Sequence, residues 1–148
     1  MKNVIITGAN SGLGFETAKK IAKDKEYRLI LACRNEKKAE AARNTIAEET
    51  ENESVDVMLL DTSLLSSVRA FADNYIAKYN TVDVLINNAG ISPMRDSGTT
   101  DEGFEVVFAT NYLGHFLLTQ LLLPHFSANG RIIITPAIKY HQSIQSNS

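Results

Sequence analysis

Thr7-Gly8-Ala9-Asn10-Ser11-Gly12-Leu13-Gly14 follows directly on the apolar run Val4-Ile5-Ile6. The order reads as strand, glycine-rich turn and helix start, and the chemistry it suits is the holding of a phosphate. Gly8 permits a tight turn, Gly12 lets the backbone approach a pyrophosphate, and Gly14 lets the new helix lie close to the sheet. Free N–H groups of the first helical turn, around Ser11, Gly12 and Leu13, then face the anion. The spacing is Gly-x-x-x-Gly-x-Gly, not the commoner Gly-x-Gly-x-x-Gly, so the general fingerprint applies through its mechanism. Taken alone, the segment also suits an ordinary strand-to-helix turn.

A second apolar run ends in Cys33-Arg34-Asn35. A free adenosine ribose is usually gripped by a carboxylate at this place, whereas a 2′-phosphate needs a cation. Arg34 supplies the cation and no carboxylate is present, which points to NADP. A charge-assisted contact of this kind contributes about 1.5–3 kcal/mol, roughly ten- to a hundredfold in favour of NADP over NAD. The competing reading is a solvated arginine beside Glu36 at a helix start.

Asp61, closing a third run, falls on the edge where open α/β sheets bind ligands; its alternative is the N-cap of a helix starting near Leu64. Asn87 and Asn88 can satisfy backbone groups between strand and loop, and Gly90, after Ala89, lets a ribose come close to the chain. Asn111 lies in an otherwise apolar helical pattern, where it is poor for helix propensity and costly if buried alone, so it should pair with backbone or water. His115, His125 and His141 have no metal-ligand partners at useful spacing and read as structural or solvated; no metal is expected.

These residues need a scaffold, and the patterning supplies one. Short aliphatic runs over Val4–Thr7, Arg28–Cys33, Val55–Leu60, Val82–Asn87 and Arg131–Thr135 alternate with helical patterns near Leu13–Asp24, Glu36–Glu51, Leu64–Tyr79 and Asp101–His125. This is the signature of βαβ units, hence an α/β, doubly wound parallel sheet of five strands, Rossmann-like and truncated after the fifth. Residues 1–135 form the NADP-binding domain. Residues 136–148 lose both periodicities and read as an irregular tail. The helix through Phe104, Val107, Phe108, Asn111, Leu113, Phe116, Leu117, Leu121 and Leu122 is apolar around most of its circumference and needs cover on two sides: the sheet can meet one, and further chain or another subunit the other, which makes a homo-oligomer through Phe116 one expectation, a deeply buried core helix being the alternative.

At 148 residues, with 22% charged and 44% hydrophobic residues and a net charge of −2, the composition is that of a soluble globular domain with no basic surplus for nucleic acid. A lone cysteine, Cys33, excludes an intrachain disulfide and suggests a reducing cytoplasm. No secretory peptide is visible, and the apolar stretch from Leu117 to Leu123, broken by Thr119 and Gln120, falls short of the ~20 residues of a membrane span.

From Lys2 to about Thr135 the chain resembles the short-chain dehydrogenase/reductase family. Thr7 to Gly14 is similar to that family's cofactor loop, Asp61 to its adenine-contacting acid, Asn87-Asn88-Ala89-Gly90 to the segment closing strand four, and Asn111 to the helix asparagine of its catalytic tetrad. Ala32-Cys33-Arg34-Asn35 and Asn111-Tyr112-Leu113-Gly114-His115-Phe116 most resemble the NADP-dependent branch that includes retinol dehydrogenases and light-dependent protochlorophyllide reductases. The resemblance implies NADP(H)-dependent hydride transfer to or from a carbonyl or alcohol substrate, with Asn111 bending its helix and holding a water in a proton relay. It also implies a serine and a Tyr-x-x-x-Lys pair, the tyrosine being the proton donor. Ala137 stands at the expected serine position; Tyr140 comes too soon and is followed four residues later by Ile144. The loss of pattern at Pro136 suggests a reductase cut short or shifted out of frame. Two further readings stay open at this stage: an NADP-binding sensor or scaffold without catalysis, and a nonfunctional fragment.

Overall fold

The computed structural model describes residues 1–135; Ala137, Tyr140, His141 and Ile144, and with them the expected tail, lie outside the described residues. Strands β1 (Lys2–Thr7), β2 (Tyr27–Cys33), β3 (Val55–Leu59), β4 (Val82–Asn87) and β5 (Phe126–Ile134) form one parallel sheet in the order β3-β2-β1-β4-β5. The order reverses between β1 and β4, the switch point at which doubly wound sheets open a crevice.

Period-two alternation splits each central strand between two cores. Val4, Ile6, Leu29 and Leu31 pack under α1 (Gly12–Ala22) and α2 (Glu36–Thr50), whose contact residues include Ala18, Ala22, Ala39, Ala42 and Ile46. Ile5, Ile30 and Leu85 pack on the opposite face under Val68, Phe71 and Tyr75 of α3 (Leu65–Tyr79) and under Leu118 and Leu122. Both faces are covered, which is why the strands read as near-continuous apolar runs.

The apolar helix differs from its sequence expectation in three ways. It begins at Val106, not Asp101, because Gly103 turns at φ 93°, Thr100 and Phe104 close a turn, and the Glu105 carboxylate takes the Val107 and Phe108 N–H groups at 3.0 and 2.7 Å. It runs as α4 (Val106–Phe108), a π-helical segment (Ala109–Leu113) and α5 (Gly114–Leu122), closing in a 3-10 turn at Leu123–His125. Its circumference is also divided: Val107, Leu118 and Leu122 are buried, whereas Phe108, Tyr112, Phe116 and Leu123 are about half exposed or more. By length and composition Val106–His125 could cross a membrane; in this fold Leu118 and Leu122 of its inner stripe share a core with Ile5, Ile30 and Leu85 of the sheet and with Phe71 and Tyr75 of α3. Strand β5 begins at Phe126, earlier than its apolar run, because the polar Ser127–Gly130 stretch forms an irregularity in the pairing with β4.

Candidate functional site

A cavity of about 700 Å³ opens beyond the carboxyl ends of β1 to β4. The glycine turn contributes Gly8, Ser11, Gly12 and Leu13, the end of β2 contributes Arg34, the end of β3 Asp61, the end of β4 Ala89 and Gly90, and the π-helical segment Asn111. Nine residues singled out from the sequence thus meet in one place, from five separate segments.

The turn is built to receive an anion. Gly12 has φ 56° and nothing within 4 Å of where a Cβ would stand, so the backbone is bare toward the cavity. Ser11 is the N-cap of α1, yet its side chain makes no capping bond, which leaves first-turn N–H groups without a side-chain acceptor. Gly8, at φ 65°, lies so near Ala89 that a Cβ would fall 2.8 Å from the Ala89 Cα. Among the described residues Arg34 makes no ion pair, with Glu36 or otherwise. These features suit a dinucleotide.

Two expected cofactor residues stand behind the cavity wall. A Cβ on Gly14 would meet the Asn88 Nδ2 at 2.4 Å and the Gly8 carbonyl at 2.6 Å, so Gly14 brings helix and sheet together without lining the cavity. Asn87 also does not line it: its side chain is buried and turned toward α5, where Nδ2 donates to the Thr119 hydroxyl at 3.2 Å. Strand alternation accounts for this, since consecutive residues face opposite sides. Its neighbour Asn88 turns toward β1 instead, where Nδ2 donates to the carbonyls of Thr7 and Gly8 at 3.1 and 3.3 Å.

Asp61 lines the cavity and is not the cap of α3. Its Oδ1 accepts from the N–H and hydroxyl of Ser63 at 2.9 and 2.6 Å. The N–H groups of Leu65 and Ser66 are taken by the carboxylate of Glu102, from 36 and more residues away, which fastens the loop preceding α4 to the start of α3.

The side chain of Asn111 is engaged at both of its polar atoms. Its Oδ1 accepts from the Ile91 N–H at 2.9 Å and its Nδ2 donates to the Ile91 carbonyl at 3.1 Å, clamping the chain just past Gly90. Helix irregularity and clamp coincide: Asn111 sits within the π-helical segment, a feature that often marks functional positions.

Sequence reasoning passed over three contributors. Lys38 lines the cavity near Arg34; its position one helical turn along was the available signal. Gly114 approaches the Thr62 carbonyl so closely that a Cβ there would clash with backbone. His115 is buried, not solvated: Nε2 lies 2.8 Å from the Thr7 hydroxyl and Nδ1 3.2 Å from the Asn111 carbonyl. Nothing local in the sequence announces the last two.

Burial pushes the His115 pKa below its ordinary 6.5, opposed by the hydrogen bond to the Asn111 carbonyl. Thr7 from β1 and Asn111 from its own helix are the groups that face it, and neither is charged. Protonation therefore favours the unfolded chain. The associated stability is complete above about pH 6.5 and is lost as pH falls through the folded value, at up to about 1.4 kcal/mol per pH unit. Thermal melts between pH 7.5 and 5 should show this loss, and His115→Phe should lose less over the same interval.

Comparison with known proteins places this geometry. The chain is 45% identical over 141 residues to retinol dehydrogenase 12 of Mus musculus, covering 94% of this chain and 44% of that protein. It is 49% identical over 135 residues to retinol dehydrogenase 13 of Homo sapiens, covering 89% and 40%. Among solved structures it is similar to the alcohol dehydrogenase of the archaeon Thermococcus sibiricus complexed with 5-hydroxy-NADP, at TM-score 0.75 and 27% identity, covering 90% of this chain and 57% of that one. The chain thus spans less than half the length of the retinol dehydrogenases it matches. The short chain dehydrogenase family model matches residues 2–147, and with the glycine turn, the switch-point cavity and the asparagine clamp in their expected order, the chain belongs to the short-chain dehydrogenase/reductase family of oxidoreductases.

Proposed function

We propose that this chain holds NADP(H) in the switch-point cavity, as part of an oxidoreductase that moves hydride between the nicotinamide and a carbonyl or alcohol. The observation that carries the cofactor choice is Arg34: a cation on the cavity wall at the end of β2, without an ion pair among the described residues and with Lys38 nearby. The bare turn at Gly12 and the first-turn N–H groups of α1 would hold the pyrophosphate, Asp61 the adenine side, and Ala89 and Gly90 the nicotinamide ribose. The bound cofactor supplies or accepts hydride. The part of Asn111 in this reading is to hold the chain at Ile91, and with it the wall near the reacting ring.

A retinoid-like alcohol or aldehyde is the substrate class that the retinol dehydrogenase relatives favour. A second copy of the chain packed on the exposed stripe of Phe108, Tyr112 and Phe116 would complete the cover of the apolar helix. Cys33, free and buried, fits a reducing compartment such as the cytoplasm.

The test is a fluorescence titration of the chain with NADPH and with NADH, repeated for Arg34→Ala. NADPH should bind more tightly than NADH to the unaltered chain, and the substitution should weaken NADPH roughly ten- to a hundredfold while leaving NADH nearly unchanged. Equal losses for the two cofactors would remove the 2′-phosphate assignment.

A further inference from the structure

The Thr7 hydroxyl stands at the meeting point of the glycine turn and the end of β4, and its hydrogen bonds are over-subscribed in an informative way. The N–H groups of Asn88 and Ala89 both donate to it, each at 2.9 Å. A hydroxyl has two lone pairs and one hydrogen, so these two donors fill its accepting capacity. What remains is the hydroxyl hydrogen, with two acceptors in range: the Ile86 carbonyl at 3.5 Å and His115 Nε2 at 2.8 Å. The shorter contact wins on distance. It also wins on capacity, because an N–H at Nε2 would be a third donor aimed at a filled oxygen.

His115 must then carry its proton on Nδ1, and Nδ1 faces the Asn111 carbonyl, which can only accept, at 3.2 Å. Both ends of the ring demand the same tautomer. A continuous chain of donors results: the Asn88 and Ala89 N–H groups to Thr7, Thr7 to His115, and His115 to the backbone of Asn111. Asn88, Ala89 and Asn111 line the cavity, whereas Thr7 and His115 do not. The ring is buried, so no bulk water competes for either nitrogen.

We propose that His115, as the neutral Nδ1–H tautomer, is a positioning residue for cofactor binding, orienting the Thr7 hydroxyl so that both its lone pairs hold the end of β4 against the glycine turn, and tying that junction to the backbone of Asn111. It works entirely from behind the wall. Phenylalanine would fill the space but leave the hydroxyl hydrogen only the more distant Ile86 carbonyl, at 3.5 Å, and the Asn111 carbonyl without its ring donor. Glutamine reaches about as far as Nε2 and restores an acceptor for Thr7.

The effect on affinity rests on the NADP(H) reading of the cavity; the tautomer and the junction do not. Two measurements on the full chain therefore separate the two ideas. Nitrogen-15 NMR of the imidazole near pH 7.5 should give a protonated Nδ1 and an unprotonated Nε2; the opposite tautomer overturns the proposal whether or not cofactor binds. NADPH titration should show about tenfold weaker binding for His115→Phe and for Thr7→Val, little further loss in the double variant, and recovery of most of the loss in His115→Gln. Additive losses, or unaltered affinity in a folded His115→Phe chain, overturn it. If the unaltered, folded chain binds no NADPH, the cofactor reading fails, and amide exchange decides the positioning role. The Asn88 and Ala89 N–H groups should then exchange faster in His115→Phe and regain protection in His115→Gln; unchanged exchange overturns the proposal. If His115→Phe does not fold, the Thr7→Val and His115→Gln chains carry both comparisons.

Discussion

Gly114→Ala should lower the melting temperature of the chain by about 10 °C, the equivalent of roughly 3 kcal/mol in a domain of this size. The added Cβ would fall on the carbonyl oxygen of Thr62, with the Thr62 carbonyl carbon at 2.8 Å and its Cα at 3.1 Å. None of these is the far end of a flexible side chain, so a rotamer change cannot relieve the overlap. Either α5 moves off the sheet, uncovering Leu118 and Leu122, or the loop after β3 moves and takes Asp61 with it. In an ordinary exposed helix the same change would be favourable, because alanine is the better helix former by up to about 1 kcal/mol. The sign of the shift in a thermal melt therefore tests the close approach directly: a melting temperature equal to or above that of the unaltered chain would refute it.

Gly14→Ala should act mainly on the ligand side, weakening NADPH by about thirtyfold, which corresponds to ~2 kcal/mol. Its Cβ would press on the Gly8 carbonyl and on the amide with which Asn88 grips the same turn. The turn and the first turn of α1 are the parts proposed to hold the pyrophosphate, so displacing either tilts the N–H groups away from the anion. Isothermal titration with NADPH, alongside a melt to confirm folding, reads the effect. Undiminished affinity in a folded variant would place the phosphate elsewhere.

The contrast between these two glycines shows what the sequence made legible. Gly14 belongs to a local motif: its neighbours in the chain announce a strand-turn-helix, and its packing role follows from that order. Gly114 is an unremarked residue in an apolar helix until the fold brings it onto Thr62. His115 is the same case at greater range, 108 residues from the hydroxyl it meets. The five strands and their parallel order were legible because burial on both faces leaves continuous aliphatic runs, and the site residues at their carboxyl ends came with them. The Asn35 cap of α2 left its start at Glu36 legible, but the start of the apolar helix, set by a side chain farther along, was not. Asp101-Glu102-Gly103 looks like a helix start, yet Glu102 serves α3 and Glu105 opens the helix. The orientation of Asn87 was likewise not legible, since the motif that contains it faces the cavity while its own side chain faces Thr119.

The switch point sets a timetable for biosynthesis. The glycine turn leaves the ribosome before β2 and β3, which follow through local βαβ connections, but its far wall is β4, and the bonds from Asn88 and Ala89 back to Thr7 span 81 and 82 residues. The ring that completes the junction comes later still. Contacts of such sequence separation form slowly, and synthesis delivers the amino-terminal part first. A nascent chain therefore carries a complete phosphate motif before its pocket is finished, and should not retain a dinucleotide until the helix through His115 has emerged and docked. Ribosome-stalled chains ending before and after that helix should divide sharply in their ability to be retained on an immobilised nucleotide.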